Sequence, residues 1–85
     1  MDLPLTEHAW FEMHRRGISK LEIEKVFKHP EQKIKMAGIR EIWQNKFAQN
    51  GKEYVLRIVV ELMPKTRVIT VYKSSKVKKY WRKDL

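Results

Sequence analysis

The sequence predicts an α+β domain in which two N-terminal helices pack on a curved antiparallel sheet of about four strands. Apolar residues recur at helical spacing before residue 30, and after it they alternate with a period of two. An Asn-Gly pair at positions 50 and 51 separates two alternating runs, as in a tight β-hairpin. The 85 residues suffice for one hydrophobic core. We therefore expect a single domain over residues 1–85.

Two helices are predicted in the first thirty residues. Thr6 is suited to the N-cap of the first helix, and Gly17 to the left-handed position that follows its last turn. The second helix begins with a capping box and a hydrophobic staple, and Pro30 ends it. The box is formed by Ser19 and Glu22, the staple by Ile18 and Ile23, and the buried stripe by Ile23, Val26 and Phe27.

Four strands are predicted after Pro30, over residues 33–36, 39–47, 53–62 and 67–74. We expect the last two to form the centre of the sheet, and residues 75–85 to form a short helix or an extended arm. Alternation along the third strand predicts two faces. One face holds Tyr54, Leu56, Ile58, Val60 and Leu62, and the other holds Val55, Arg57, Val59 and Glu61.

Positive charge is concentrated at the C-terminal end of the chain. The formal net charge is +9, but residues 1–61 contain 11 basic and 9 acidic side chains, whereas residues 62–85 contain 8 basic side chains and one acidic. Such a gradient attracts polyanions. Tyr72, Tyr80 and Trp81 lie among these cations and can stack on bases, which favours RNA as the partner. The alternative is that the lysines only increase solubility.

Several classes of protein are disfavoured by composition. The chain has no cysteine, and His8, His14 and His29 do not follow a metal-ligand spacing, so we expect no metal and no cofactor. Three glycines leave no glycine-rich phosphate loop. The N-terminus does not resemble a signal peptide and no apolar run approaches a membrane span, so a cytoplasmic protein without membrane contact is expected.

RNA cleavage is a reaction that such a small domain can perform without a metal. The 2′-hydroxyl of the substrate is the nucleophile, so the protein supplies proton transfer and cations. His8, Glu12 and Arg15 share one face of the first helix, where the carboxylate can orient the imidazole. Arg16 can bind the phosphate. The alternative is that Glu12 and Arg16 form an ordinary i,i+4 ion pair and that His8 has no special role.

A second group of candidate residues lies on the strands and in the basic C-terminal segment, residues 73–85. Tyr72 can stack on a base or transfer a proton, Lys73 can neutralise a phosphate, and Arg57 can share their surface. We expect the segment to face the helix that contains His8 and Arg16. The remaining predicted RNA-binding residues are Lys76, Lys78, Lys79, Tyr80, Trp81 and Arg82.

The motif T-E-H-A-x-x-E-M-x-x-R-G-I-S at residues 6–19, followed by E-I-x-x-V-x-x-x-P at residues 22–30, resembles the opening of a family of small prokaryotic domains of unknown function. The strand V-I-T-V-Y-K at residues 68–73 resembles that family's closing strand. The family is grouped with RelE/ParE-like toxins, which include ribonucleases inhibited by antitoxins. His8, Arg16 and Tyr72 match the family pattern, whereas Glu12 replaces its usual arginine.

The resemblance implies a RelE/ParE-like fold and a toxin of a toxin–antitoxin pair, acting as an endoribonuclease on messenger or ribosome-bound RNA. His8, Arg16 and Tyr72 are then the expected catalytic residues, and a small antitoxin is the expected protein partner. Two alternatives remain open. One is a non-catalytic module that binds nucleic acid or an acidic protein, and the other is a ParE-like toxin directed at gyrase.

Overall fold

A computed structural model describes residues 3–85 and confirms the predicted α+β class. Two N-terminal helices pack on a four-stranded antiparallel sheet, and one short helical turn follows the last strand. No helix in this part of the chain is both long enough and apolar enough to span a membrane. The elements in chain order are α1 (Glu7–Arg15), α2 (Lys20–Lys28), β1 (Gln32–Lys35), β2 (Arg40–Gln49), β3 (Lys52–Glu61), β4 (Arg67–Ser74) and α3 (Val77–Tyr80).

Both long helices begin as the sequence predicts. The Thr6 hydroxyl accepts a hydrogen bond from the Ala9 amide at 3.2 Å, and both hydrogen bonds of the Ser19–Glu22 capping box are present. Gly17 follows α1 with a φ of +64°, a conformation that glycine adopts without steric cost. These local signals set the start of each helix and the turn between them.

The sheet order is β1-β2-β3-β4, with every neighbouring pair antiparallel. The central strands are therefore β2 and β3, and the prediction that β4 is central is wrong. No strand follows β4, because the chain after Ser74 crosses the face of the sheet instead of pairing with its edge. Part of that edge is covered by the residues before α1, where the amides of Thr6 and Val68 bond to the carbonyls of Val68 and Pro4.

The hydrophobic core lies between the two long helices and one face of the sheet. Leu56, Ile58 and Val60 of β3 point into it, as the alternation predicts. The opposite face of β3 is also buried, because Val55, Arg57 and Val59 are each at most 8% exposed. Something other than α1 and α2 must therefore cover that second face. The helices contribute Ala9, Met13, Ile23 and Val26 to the core, and β4 contributes Val68 and Val71.

Candidate nucleic-acid interface

Four polar side chains form a row across the face of the sheet that points away from α1 and α2. The strand register aligns Gln32 with Gln44, Gln44 with Arg57, and Arg57 with Tyr72, so each strand contributes one residue. We call these four residues the polar row. Three of its members are at most 7% exposed, and Tyr72 is half-buried.

Hydrogen bonds join the polar row from one edge of the sheet to the other. The Gln44 amide donates to Gln32 Oε1 at 2.7 Å, and Arg57 Nε donates to Gln44 Oε1 at 2.8 Å. Arg57 Nη1 donates to the Tyr72 hydroxyl at 2.5 Å. Within residues 3–85, no fully buried side-chain nitrogen or oxygen lacks a hydrogen-bond partner. Arg57 Nη2 forms no hydrogen bond with the described residues and therefore keeps some access to solvent, whereas the buried polar atoms of the row are satisfied.

Residues 76–85, which follow β4 within the basic C-terminal segment, lie over the polar row; we call them the covering segment. The Tyr80 carbonyl accepts a hydrogen bond from Gln44 Nε2 at 2.9 Å. Gln32 bonds to both main-chain groups of Arg82, donating to the carbonyl at 2.5 Å and accepting from the amide at 3.1 Å. The segment combines both structures that the sequence left open, since α3 is one turn and the backbone at Trp81 is extended.

The aromatic side chains of the covering segment pack against cations of the sheet. The Tyr80 ring centroid lies 4.3 Å from Arg57 Cζ, and the Trp81 centroid lies 4.5 Å from Lys46 Nζ. Tyr80 and Trp81 are half-buried, so part of each ring surface is accessible to solvent. Arg82 is exposed, but its guanidinium forms two hydrogen bonds with Asp84, at 2.6 and 2.9 Å.

An open cleft of about 640 Å³ lies between the start of α3 and the β2–β3 hairpin. The strand register explains it, because Val55 pairs with Ser74 and so brings the residues after β4 beside the hairpin. Four lysines line this cleft together with a single acidic residue, Glu53. We call this cavity the lysine cleft; the lysines that line it are Lys52, Lys76, Lys78 and Lys79.

Lys73 and Tyr72 are adjacent in β4 and therefore point to opposite faces of the sheet. Tyr72 belongs to the polar row, whereas Lys73 Nζ lies 5.9 Å from the ring centroids of Phe47 and Tyr54. Those two rings stack at 5.8 Å, and Phe47 packs against the helix-side core. Lys73 and Tyr72 thus belong to different surfaces.

His8 lies on α1 and Arg16 is the C-cap of this helix, which packs against the face of β4 opposite to the Tyr72 side chain. The structure therefore does not bring the three predicted catalytic residues together. The expectation that the basic C-terminal segment faces this helix is also wrong, because residues 76–85 cover the other face. The side chains of His8 and Arg16 are both exposed.

Glu12 forms the i,i+4 ion pair with Arg16 that the sequence offered as the alternative, and it binds Arg15 more closely. Its carboxylate accepts two hydrogen bonds from Arg15, at 2.6 and 3.0 Å, and Arg16 Nη2 lies farther away at 3.6 Å. The hydrogen bonds from Arg15 lower the pKa of Glu12 from 4.5 to about 2. The charges of Arg15, Arg16 and His8 lower it further, while partial burial opposes them.

Because the pKa of Glu12 is lower in the folded protein, its carboxylate stabilises the fold above about pH 4.5, and this contribution is lost as the pH falls towards 2. Glu12→Gln is expected to flatten the pH dependence of the unfolding midpoint over this range. Chemical denaturation at a series of pH values measures the unfolding midpoint as a function of pH. Glu53→Gln is the control for the loss of one exposed carboxylate. If the unfolding midpoint of Glu12→Gln had the same pH dependence as that of the wild type, the lowered pKa of Glu12 in the folded protein would be contradicted.

Comparisons with protein-family models, with curated proteins and with solved structures give no significant match to this chain. Sequence reasoning missed Gln32, Gln44, Lys46 and Lys52. Only the Asn50-Gly51 hairpin signal pointed towards Lys52, since a tight turn there aligns Lys52 with Gln49 at the end of the β2–β3 ladder.

Proposed function

We propose that this protein binds single-stranded RNA along the lysine cleft and the exposed side of the covering segment. The observation that supports the proposal is the convergence of Lys52 with Lys76, Lys78 and Lys79 around one open cleft. Lys52 lies far from the other three in sequence, so the cleft is built by the fold and not only by a run of basic residues. Such a groove attracts the phosphate backbone.

Half-buried aromatic rings beside this cation cluster favour a single strand over a duplex. Tyr80 directly follows two of the cleft lysines, and Trp81 follows Tyr80. Unpaired bases can stack on such rings, whereas the bases of a duplex are not accessible in that way. An acidic antitoxin segment, the partner implied by the resemblance, would compete with RNA for the same lysines.

The salt dependence of RNA binding tests the proposal. Fluorescence anisotropy of a labelled single-stranded RNA is expected to show saturable binding, and log K is expected to fall with log salt at a slope of about −3. Four lysine–phosphate contacts, each releasing about 0.7 counterion from a single strand, produce this slope. Absence of saturable binding, or a slope near zero, would refute the proposal.

A second candidate function is metal-independent RNA cleavage at Tyr72. It is favoured by one contact, the 2.5 Å hydrogen bond from Arg57 Nη1, which holds a phenolic hydroxyl beside a cation. Labelled RNA incubated with the protein in the presence of a chelator would then be cut, Tyr72→Phe would abolish cutting, and His8→Ala on the opposite face would not. Intact RNA after incubation would leave RNA binding as the function.

A further inference from the structure

Arg57 differs from the other arginines of this chain in both burial and partners. The sequence contains six arginines, and the structure pairs five of them with carboxylates. Arg57 is 7% exposed, and no carboxylate of the described residues forms an ion pair with it. The five exposed arginines pair as Arg15 and Arg16 with Glu12, Arg40 and Arg67 with Glu61, and Arg82 with Asp84.

The guanidinium of Arg57 keeps unused hydrogen-bond donors. Of the five N–H groups of an arginine, the Arg57 side chain uses one to Gln44 and one to Tyr72, which leaves three, two of them on Nη2. Both partners are neutral, and the rings of Tyr72 and Tyr80 offer only partial compensation for the charge. A buried cation without a counter-ion is unfavourable, and an anion would remove that cost.

The covering segment cannot supply that anion because it is itself cationic. Residues 76–85 contain five basic side chains and one acidic, and the acidic one, Asp84, already binds Arg82. Among the described residues, three hydrogen bonds to main-chain groups of Tyr80 and Arg82 hold the segment to the polar row. Its helical turn has four residues and no side-chain cap. A cationic segment therefore lies over a buried cation, held by three hydrogen bonds and by the cation–π contacts of Tyr80 and Trp81, with no ion pair to the sheet within residues 3–85.

We propose that Arg57 is a binding site for a phosphate group, and that the covering segment is a movable cover over this site. Phosphate oxygens would accept from the free donors of Arg57 Nη1 and Nη2, and the Tyr72 hydroxyl would donate to the same group. The bound phosphate would also attract the net positive charge of the covering segment. The phosphate can be free or part of a phosphodiester, so the site does not depend on RNA binding at the lysine cleft.

Loosening the cover tests this proposal. Gln32→Ala removes two of the three hydrogen bonds that hold the covering segment, and it leaves the bonds of Arg57 to Gln44 and Tyr72 in place. We expect Gln32→Ala to bind inorganic phosphate roughly tenfold more tightly than the wild type, because a larger fraction of molecules is open. The Arg57 Nε–H resonance, followed by ¹H–¹⁵N NMR during a phosphate titration, reports the binding directly.

A matched variant and a second ligand complete the experiment. Gln32→Ala with Arg57→Lys is expected to lose the added affinity, since lysine lacks the planar fork, and the same NMR spectra verify that each variant is folded. A dinucleotide that binds more tightly than inorganic phosphate identifies a phosphodiester as the ligand, and equal affinities identify a free phosphate; both support the site.

Two results would overturn the proposal. One is an Arg57 Nε–H resonance that stays unshifted at saturating phosphate in both the wild type and Gln32→Ala. The other is an affinity that survives Arg57→Lys, with shifts confined to the lysine cleft. In either case RNA binding at the lysine cleft could still be measured by anisotropy, so failure of the phosphate site and failure of the proposed function are distinguishable.

Discussion

Replacing Lys78 and Lys79 together by glutamate is expected to weaken binding of single-stranded RNA by about 100-fold at low salt. Both side chains are exposed and line the cleft beside the hairpin, so each substitution replaces an attraction to phosphate with a repulsion. A loss of about 1.4 kcal/mol per site, equal to tenfold each, accounts for this factor. The slope of log K against log salt should fall in magnitude by about 1.4, because two phosphate contacts are lost.

The matched control reverses two lysines elsewhere on the surface. Lys35 lies at the end of β1 and Lys65 in the turn between β3 and β4, both exposed and at the end of the sheet opposite to the β2–β3 hairpin. Lys35→Glu with Lys65→Glu changes the net charge by the same amount. RNA affinity should therefore fall much less than in the cleft variant. Equal losses in the two variants would mean that only net charge matters and that the cleft has no role.

Gln44→Ala is expected to lower the free energy of unfolding by about 3–5 kcal/mol. Gln44 is fully buried, and its amide group bonds to Gln32, Arg57 and the Tyr80 carbonyl. Truncation leaves a buried Arg57 N–H without its acceptor, removes one of the three hydrogen bonds to the covering segment and creates a cavity. Urea denaturation followed by circular dichroism measures the change. A loss below about 1 kcal/mol would contradict a structural role for the polar row.

Gln44→Glu separates the two roles of this side chain. A carboxylate still accepts from Arg57 and adds an opposite charge, but it presents an oxygen to the Tyr80 carbonyl and to Gln32 Oε1. We therefore expect a smaller loss of stability than in Gln44→Ala, together with faster amide exchange over residues 77–82. Equal protection of those amides in Gln44→Glu and wild type would show that the glutamine amide does not hold the covering segment.

Most elements of the fold could be predicted because their signals are local. The Ser19–Glu22 capping box and the Gly17 turn set the ends of the helices within a few residues of sequence. Alternation in β3 correctly assigned Leu56 to the core and Arg57 to the opposite face. The predicted position of β4 was wrong, because this strand has the β-branched composition of a central strand and yet lies at an edge of the sheet.

The site was only partly predictable, because its residues meet through the strand register. Alternation places Arg57 and Tyr72 on faces of their own strands, but only the pairing of β3 with β4 makes them neighbours. The same holds for Lys52, which reaches the lysines of the covering segment only once the β2–β3 hairpin lies beside the end of β4. The sequence predicts that His8 and Arg16 act together with Tyr72, but the fold places them on the opposite side of the sheet from the Tyr72 side chain.

The sequence by itself determined the helices, the strands, the hairpin and the concentration of positive charge near the C-terminus, because each follows from residues close together in the chain. Only the tertiary structure decided which surface that charge covers. The hydrogen bonds that place the covering segment join residues 36 and 50 positions apart, such as Gln44 with Tyr80 and Gln32 with Arg82. Local propensity contains no information about such pairs, so the position of the basic C-terminal segment over the polar row follows from packing and register.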